Sequence, residues 1–125
     1  MSEFTVFDVP FPQHAKQRVI VNTDAKNEAG DQFAIVHAIL TPSFELLGII
    51  PAHFGTRKSA TSMQDSHDET MLILRLMGLE DQIRVEDGAT HAIPDESTPM
   101  DSPGAQLIIS EAMQDDDRPL HVAFY

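Results

Sequence analysis

The chain has 125 residues, 42% hydrophobic and 22% charged, a composition that suits one ordinary globular domain and excludes wholesale disorder. It contains no cysteine, which rules out disulfides, thiolate metal sites and a cysteine nucleophile, so that any metal must be held by oxygen or imidazole. The net charge of -12 is unevenly spread, with five Lys/Arg and six Asp/Glu in residues 1–62 against three and fourteen in residues 63–125, and this makes nucleic acid and anionic membrane surfaces poor partners.

Residues 1–17 carry Pro10 and Pro12 and no unbroken apolar run. Neither a secretory signal nor a membrane span is expected there, and a cytoplasmic protein is the default reading. We treat this stretch as an N-terminal extension and residues 18–125 as the domain. Val19 to Val21 is a short β-branched run of the kind found in buried parallel strands. A helix is predicted from about Gly30 to Leu40, with Phe33, Val36, Ile39 and Leu40 on its apolar face and Pro42 closing it. Glu45 to Ile50 reads as the next strand. A second helix is predicted near Ser66, where Ser66 and Glu69 stand at capping-box spacing; Met71, Leu72, Leu74 and Leu76 to Met77 form its buried side, and Gly78 ends it. Gln82 to Val85 reads as a weak edge strand. The third helix is the best signalled, with Ser102 as N-cap, Pro103 in the first turn, and Ala105, Ile108, Ile109, Ala112 and Met113 at helical spacing. Leu120 to Phe124 is a last strand.

Strands alternating with helices imply βαβ units. The expected fold class is α/β: an open, mostly parallel, Rossmann-like sheet with helices on both faces. Because the pattern stops on a strand, the domain is expected to be truncated, with its site incomplete.

The first strand runs directly into Thr23-Asp24-Ala-Lys-Asn27-Glu28-Ala-Gly30-Asp31-Gln32. In open α/β sheets, ligands sit where a strand's carboxyl end meets a helix start. Asp24 on the strand end and Asp31 on the helix start are therefore expected to converge on one hard cation across the turn. Their plainer roles are a turn former and a favourable first-turn acid. The loop is not an EF-hand, because Lys26 and Ala29 stand where a ligand and a glycine are needed, and it lacks the glycine spacing of phosphate-cradling loops.

At these residues the sequence resembles the nucleoside hydrolases of the inosine-uridine-preferring type. Their signature is a strand followed by D-x-D-x-x-x-D-D, or in a related branch T-D-x-x-N-E-x-D-D-Q, which residues 23–32 fit at all but one fixed position. The resemblance continues through Leu47-Gly48-Ile49-Ile50, the helix around Asp68 to Leu76, Val85-Glu-Asp-Gly88-Ala89, and Ser102-Pro-Gly104-Ala105 with Ile108-Ile109. It covers roughly residues 18 to 125, the N-terminal part of such a domain. The resemblance implies hydrolysis of the N-glycosidic bond of a ribonucleoside to base and ribose, with bound calcium (Ca2+). Asp24 would be the catalytic acid that ligates calcium and activates water, and Asp31 a second calcium ligand. Gly30 departs from the pattern where the family places an acid that touches the sugar, and Asn22 replaces an earlier acid. The family's remaining calcium ligands lie outside these residues, so weak or absent activity is expected from this chain alone.

Asn27 and Glu28 are candidate substrate contacts, and equally ordinary turn residues. His53 follows the second strand, where a loop should face the same crevice. His37 and His121 suit packing or exposed positions, and Arg57 with Lys58 a solvated pair. The partner implied is a small nucleoside, with homo-oligomer formation open. A haloacid-dehalogenase-like phosphatase is the first alternative, but Asn22 occupies its nucleophile's place and an amide cannot form the aspartyl-phosphate. The second is a noncatalytic ligand- or metal-binding domain that keeps the fold.

Overall fold

The computed structural model describes residues 10–125. Residues 1–9 of the expected extension lie outside the described residues, and a short 3₁₀ turn at Gln13–Ala15 leads into the sheet. The elements that follow are β1 (Gln17–Thr23), α1 (Gly30–Leu40), β2 (Phe44–Pro51), α2 (Ser62–Leu76), α3 (Pro103–Ala112) and β3 (Leu120–Phe124). The three strands form one all-parallel sheet in the order β2-β1-β3, which puts β1 in the centre.

Alternation along β1 divides the core into two faces, since successive strand side chains point to opposite sides. Val19 and Val21 join Ile35 and Ala38 of α1 and Ile73 and Leu74 of α2 in one cluster, while Ile20 joins Ile50 and Leu107 of α3 in the other. Helices thus cover both faces, as the alternating pattern required. β2 keeps this division only through a register shift. Val19 pairs with Leu46 and Ile20 with Gly48, so Leu47 is an extra residue and Leu47 and Gly48 both fall on the α3 side. Gly48 is needed there, because a Cβ would lie 2.7 Å from Leu107 Cδ2 and 3.3 Å from the Arg84 carbonyl.

Three helix expectations need correction. Phe33 of α1 is 78% exposed, whereas Val36, Ile39 and Leu40 pack against the core as expected, around the buried Ile35 and Ala38. Ala34 to Leu40 is apolar except at His37, so periodicity does not single out one face. α2 begins at Ser62 rather than near Ser66, and Ser66 is fully buried within it, not a cap. Its buried stripe, Ser62, Ser66, Thr70, Ile73 and Leu74, is led by small hydroxyl residues, while Leu72 and Leu76 face solvent. In α3 Gly104 and Leu107 are buried and Ile109 and Met113 are exposed.

The end signals hold. Ser102 Oγ accepts the Ala105 N–H at 3.1 Å with Pro103 in the first turn. Gly78 has φ +70, and paired bonds from Gly78 N–H to Arg75 O and from Leu79 N–H to Leu74 O close α2 in a Schellman motif. The expected edge strand at Gln82 to Val85 is reduced to a single parallel bridge between Val85 and Ile49, flanked by Ile49 N–H to Arg84 O and Glu86 N–H to Ile49 O. That segment covers the outer edge of β2.

Candidate functional site

The carboxyl end of β1 lies where the chain's path through the sheet changes direction: from β1 the connection leads to β2 on one side, and from β2 it returns to β3 on the other. Ligands bind at such positions in open parallel sheets. Thr23 O accepts Ala52 N–H at 2.8 Å and Asn22 O accepts Tyr125 N–H at 3.1 Å, so the first residues beyond β2 and β3 are held beside this end.

The chain then reverses in a tight turn closed by Asn27 N–H to Asp24 O at 2.8 Å. The reversal brings the first turn of α1 back over the strand end. Asp31 Oδ2 accepts the Thr23 Oγ1 hydroxyl at 2.6 Å, and Asp24 Oδ2 accepts Asn27 Nδ2 at 3.0 Å. The turn thus sets the Asp31 carboxylate beside Asp24. Burial pushes the Asp24 carboxyl above its ordinary range and the adjacent Asp31 carboxylate adds to this, while the bond from Asn27 opposes it. Residues 24 and 31 stand on the two arms of this one turn, Asp24 beside Asn27 and Asp31 beside Thr23.

Two partly buried acids facing each other with oxygen donors alone suit a hard cation such as calcium, whose charge relieves their repulsion. Asp24 and Asp31 supply two ligands, and among the described residues no group of three or more His, Asp or Glu side chains adds to them. Calcium takes six to eight oxygens, so water, backbone carbonyls or ligand hydroxyls would complete the sphere. Asn27 Oδ1 accepts Lys58 Nζ at 2.8 Å and is thereby occupied, so Asn27 serves to orient Asp24. Glu28 is exposed and forms no side-chain hydrogen bond among the described residues. Gly30, where the resembling family has an acid, is exposed, and a Cβ there would meet nothing within 4 Å.

A cavity of about 320 Å³ lies on the α3 side of the sheet, lined by Asn22, His53, Gly88, Ser102, Ala105 and Ile108 among others and not by Asp24 or Asp31. His53 lines this cavity, which neither Asp24 nor Asp31 lines, and its Nδ1 accepts the Gly55 N–H at 3.1 Å. Close packing shapes the cavity's rim: a Cβ on Gly104 would lie 2.5 Å from Ile50 Cγ2, and one on Gly88 2.7 Å from the Pro51 carbonyl. His37 and His121 are exposed, in line with their ordinary reading.

Three further features carry no sequence signal, because their partners are distant in the chain. Glu69 of α2 accepts from both Lys26 and Gln32. Lys58 reaches Asn27. His67 Nδ1 lies 2.6 Å from Asp87 Oδ1, which ties α2 to the segment along β2.

No protein-family model matches the sequence, and no curated protein matches it at a significant level. No helix among the described residues is long and apolar enough to cross a membrane. Fold and site together define an α/β protein with paired acids at the carboxyl end of its central parallel strand.

Proposed function

We propose that the Asp24/Asp31 pair is the calcium site of a hydrolase that cleaves the N-glycosidic bond of ribonucleosides. The observation that carries this reading is the turn at the carboxyl end of β1 that sets Asp24 and Asp31 beside each other, with Asn27 Nδ2 donating to Asp24 and Thr23 Oγ1 to Asp31. It is supported by the match of residues 23–32 to the nucleoside hydrolase signature. The reading brings with it a nucleoside as small-molecule partner and a cytoplasmic location.

Asp24 and Asp31 would hold the ion. When bound, calcium supplies Lewis-acid polarisation of water and oxygen coordination for ribose hydroxyls. Asp24 takes the proton from the attacking water. Asn27 fixes one Asp24 oxygen, which leaves the other to face the water. The water adds to the anomeric carbon as the bond to the base breaks, with oxocarbenium-like charge on the sugar. Thr23 holds Asp31 in register with the strand. The cavity on the α3 side, walled by Ile108 and Ala105 and bearing His53, gives a place for the flat apolar face of a base.

A noncatalytic cation-binding domain is the second reading, favoured by Gly30, which leaves the sugar contact unfilled. Ribose release from purine and pyrimidine nucleosides at saturating calcium separates the two. The hydrolase reading expects slow release that stops on calcium chelation and in Asp24→Asn. Calcium binding with no release at any protein concentration would leave the binding domain. Release indifferent to both calcium and Asp24 would reject the site.

A further inference from the structure

We propose that Glu69 on α2 is a positioning residue that sets the separation of the Asp24 and Asp31 carboxylates from outside the signature turn. The inference rests on the reading of that pair as a cation site. Its ground is a bracket built on the residues that immediately follow each acid. Ala25, after Asp24, is fully buried, and its carbonyl accepts Gln32 Nε2 at 2.9 Å; Gln32 follows Asp31. The same Gln32 nitrogen donates to Glu69 Oε1 at 3.3 Å, and Lys26 Nζ reaches Glu69 Oε2 at 3.3 Å. Both arms of the turn therefore end on one carboxylate from a different helix.

The amide orientation of Gln32 is dictated by this arrangement. Its nitrogen faces two acceptors, whereas Oε1 is buried with no partner. Flipping the amide would set oxygen against the Ala25 carbonyl and the Glu69 carboxylate. A buried unsatisfied oxygen is tolerated where the donor side of the same group is indispensable. The bracket also suits the electrostatics. Two like charges held together push the turn open, and a brace from α2 resists that opening. Lys26 balances the Glu69 charge, and Glu69 forms no group of three possible metal ligands with Asp24 and Asp31. Glu69 thus acts on geometry and not as a third acid in the site.

The test uses the whole chain with Glu69→Ala, Glu69→Gln and Lys26→Met. Hydrogen exchange of the Asn27 amide, whose bond to the Asp24 carbonyl closes the turn, reports the brace, and calcium is titrated by calorimetry. In Glu69→Ala the turn loosens, so Asn27 exchanges faster and calcium affinity drops by about tenfold or more, as for other groups that orient metal ligands. Glu69→Gln, which can still accept from Gln32, recovers most of both. Lys26→Met changes a side chain 57% exposed, and its smaller rise in Asn27 exchange carries the test should Glu69→Ala fail to fold. Unchanged Asn27 exchange in folded Glu69→Ala, or in Lys26→Met where the alanine variant does not fold, overturns the proposal. So does a glutamine variant as impaired as the alanine. A wild type that binds no calcium while its Asn27 exchange still responds to Glu69→Ala would remove the cation reading and leave the positioning role standing.

Discussion

The two ends of β1 treat charge in opposite ways. At the amino end, Arg18 is 4% exposed and its guanidinium lies 3.1 Å from Glu111 Oε2 and 3.7 Å from Asp116 Oδ2, with a further bond to the Glu111 carbonyl at 2.7 Å. Arg118 completes the cluster, 2.6 Å from Asp116 Oδ2 and 2.8 Å from Glu45 Oε2, while donating to the carbonyls of Gln13 and Lys16. Opposite charges there bind the entry to β1, the entry to β3 and the start of β2. At the carboxyl end, Asp24 and Asp31 face each other, and the cations Lys58 and Lys26 stand one layer back on Asn27 and Glu69. One end pairs its acids with arginines, and the other gives its acids only neutral donors, Asn27 and Thr23, where a ligand is expected.

Removing charge at either end should reveal this difference most strongly at Arg18. Arg18→Ala strips a buried guanidinium from its acceptors and is expected to cost about 3 kcal/mol of folding stability, read from the urea unfolding midpoint. Asp24→Asn in calcium-free buffer at neutral pH should leave stability unchanged or raised. Equal losses at both sites would erase the contrast.

A gain of charge at the carboxyl end is the next largest effect expected. Gly30 begins α1, and open space surrounds the position of its missing side chain. Gly30→Asp would place a third carboxylate beside the pair at a helix N-terminus that favours it. Calcium affinity should rise by about tenfold, since ligand charge tunes such sites. Calorimetry showing no gain would mean that the ion, if bound, sits away from this turn.

The smallest expected effects are in pH dependence, where the two ends slope in opposite directions. Hydrogen bonds from the Arg118 side chain and backbone hold Asp116 far below the ordinary carboxylate range. Its contribution to stability is therefore present above the unfolded value of about 3.9 and lost as pH falls through the lower folded value. Asp24 is shifted upward, chiefly by burial, so its contribution is present below the unfolded value and lost as pH rises through the folded one. Unfolding midpoints between roughly pH 3 and 7 should show the deficit of Asp116→Asn shrinking toward acid. The advantage of calcium-free Asp24→Asn should grow toward neutrality and close when calcium is added to the wild type. Parallel slopes for the two variants would contradict the assignment of opposite roles.

Much of this was legible in sequence where the signal is local. β-branched runs marked β1 and β2, Ser102-Pro103 marked the start of α3, and Gly78 marked the end of α2, because caps and turns are dictated by one or two residues. That Asp24 and Asp31 flank one turn was readable because both lie within a few residues of it. Burial within helices was only partly so. In α2 Leu74, Met77 and Met71 meet the core as expected, but the buried stripe also includes Ser62, Ser66 and Thr70, whose hydroxyls look solvent-facing in a sequence, and in α1 nearly every residue is apolar. The groups that steady the site were also hidden. Glu69, Lys58 and the His67–Asp87 pair reach their partners across 43, 31 and 20 positions, and only tertiary packing sets those distances.

The account turns on whether the carboxylates at the end of β1 share an ion, and calorimetric titration of calcium into wild type and Asp24→Asn measures this most directly. The wild type should bind one calcium ion saturably and the variant should show no comparable heat. Identical isotherms for the two proteins, whether both flat or both saturating, would contradict it.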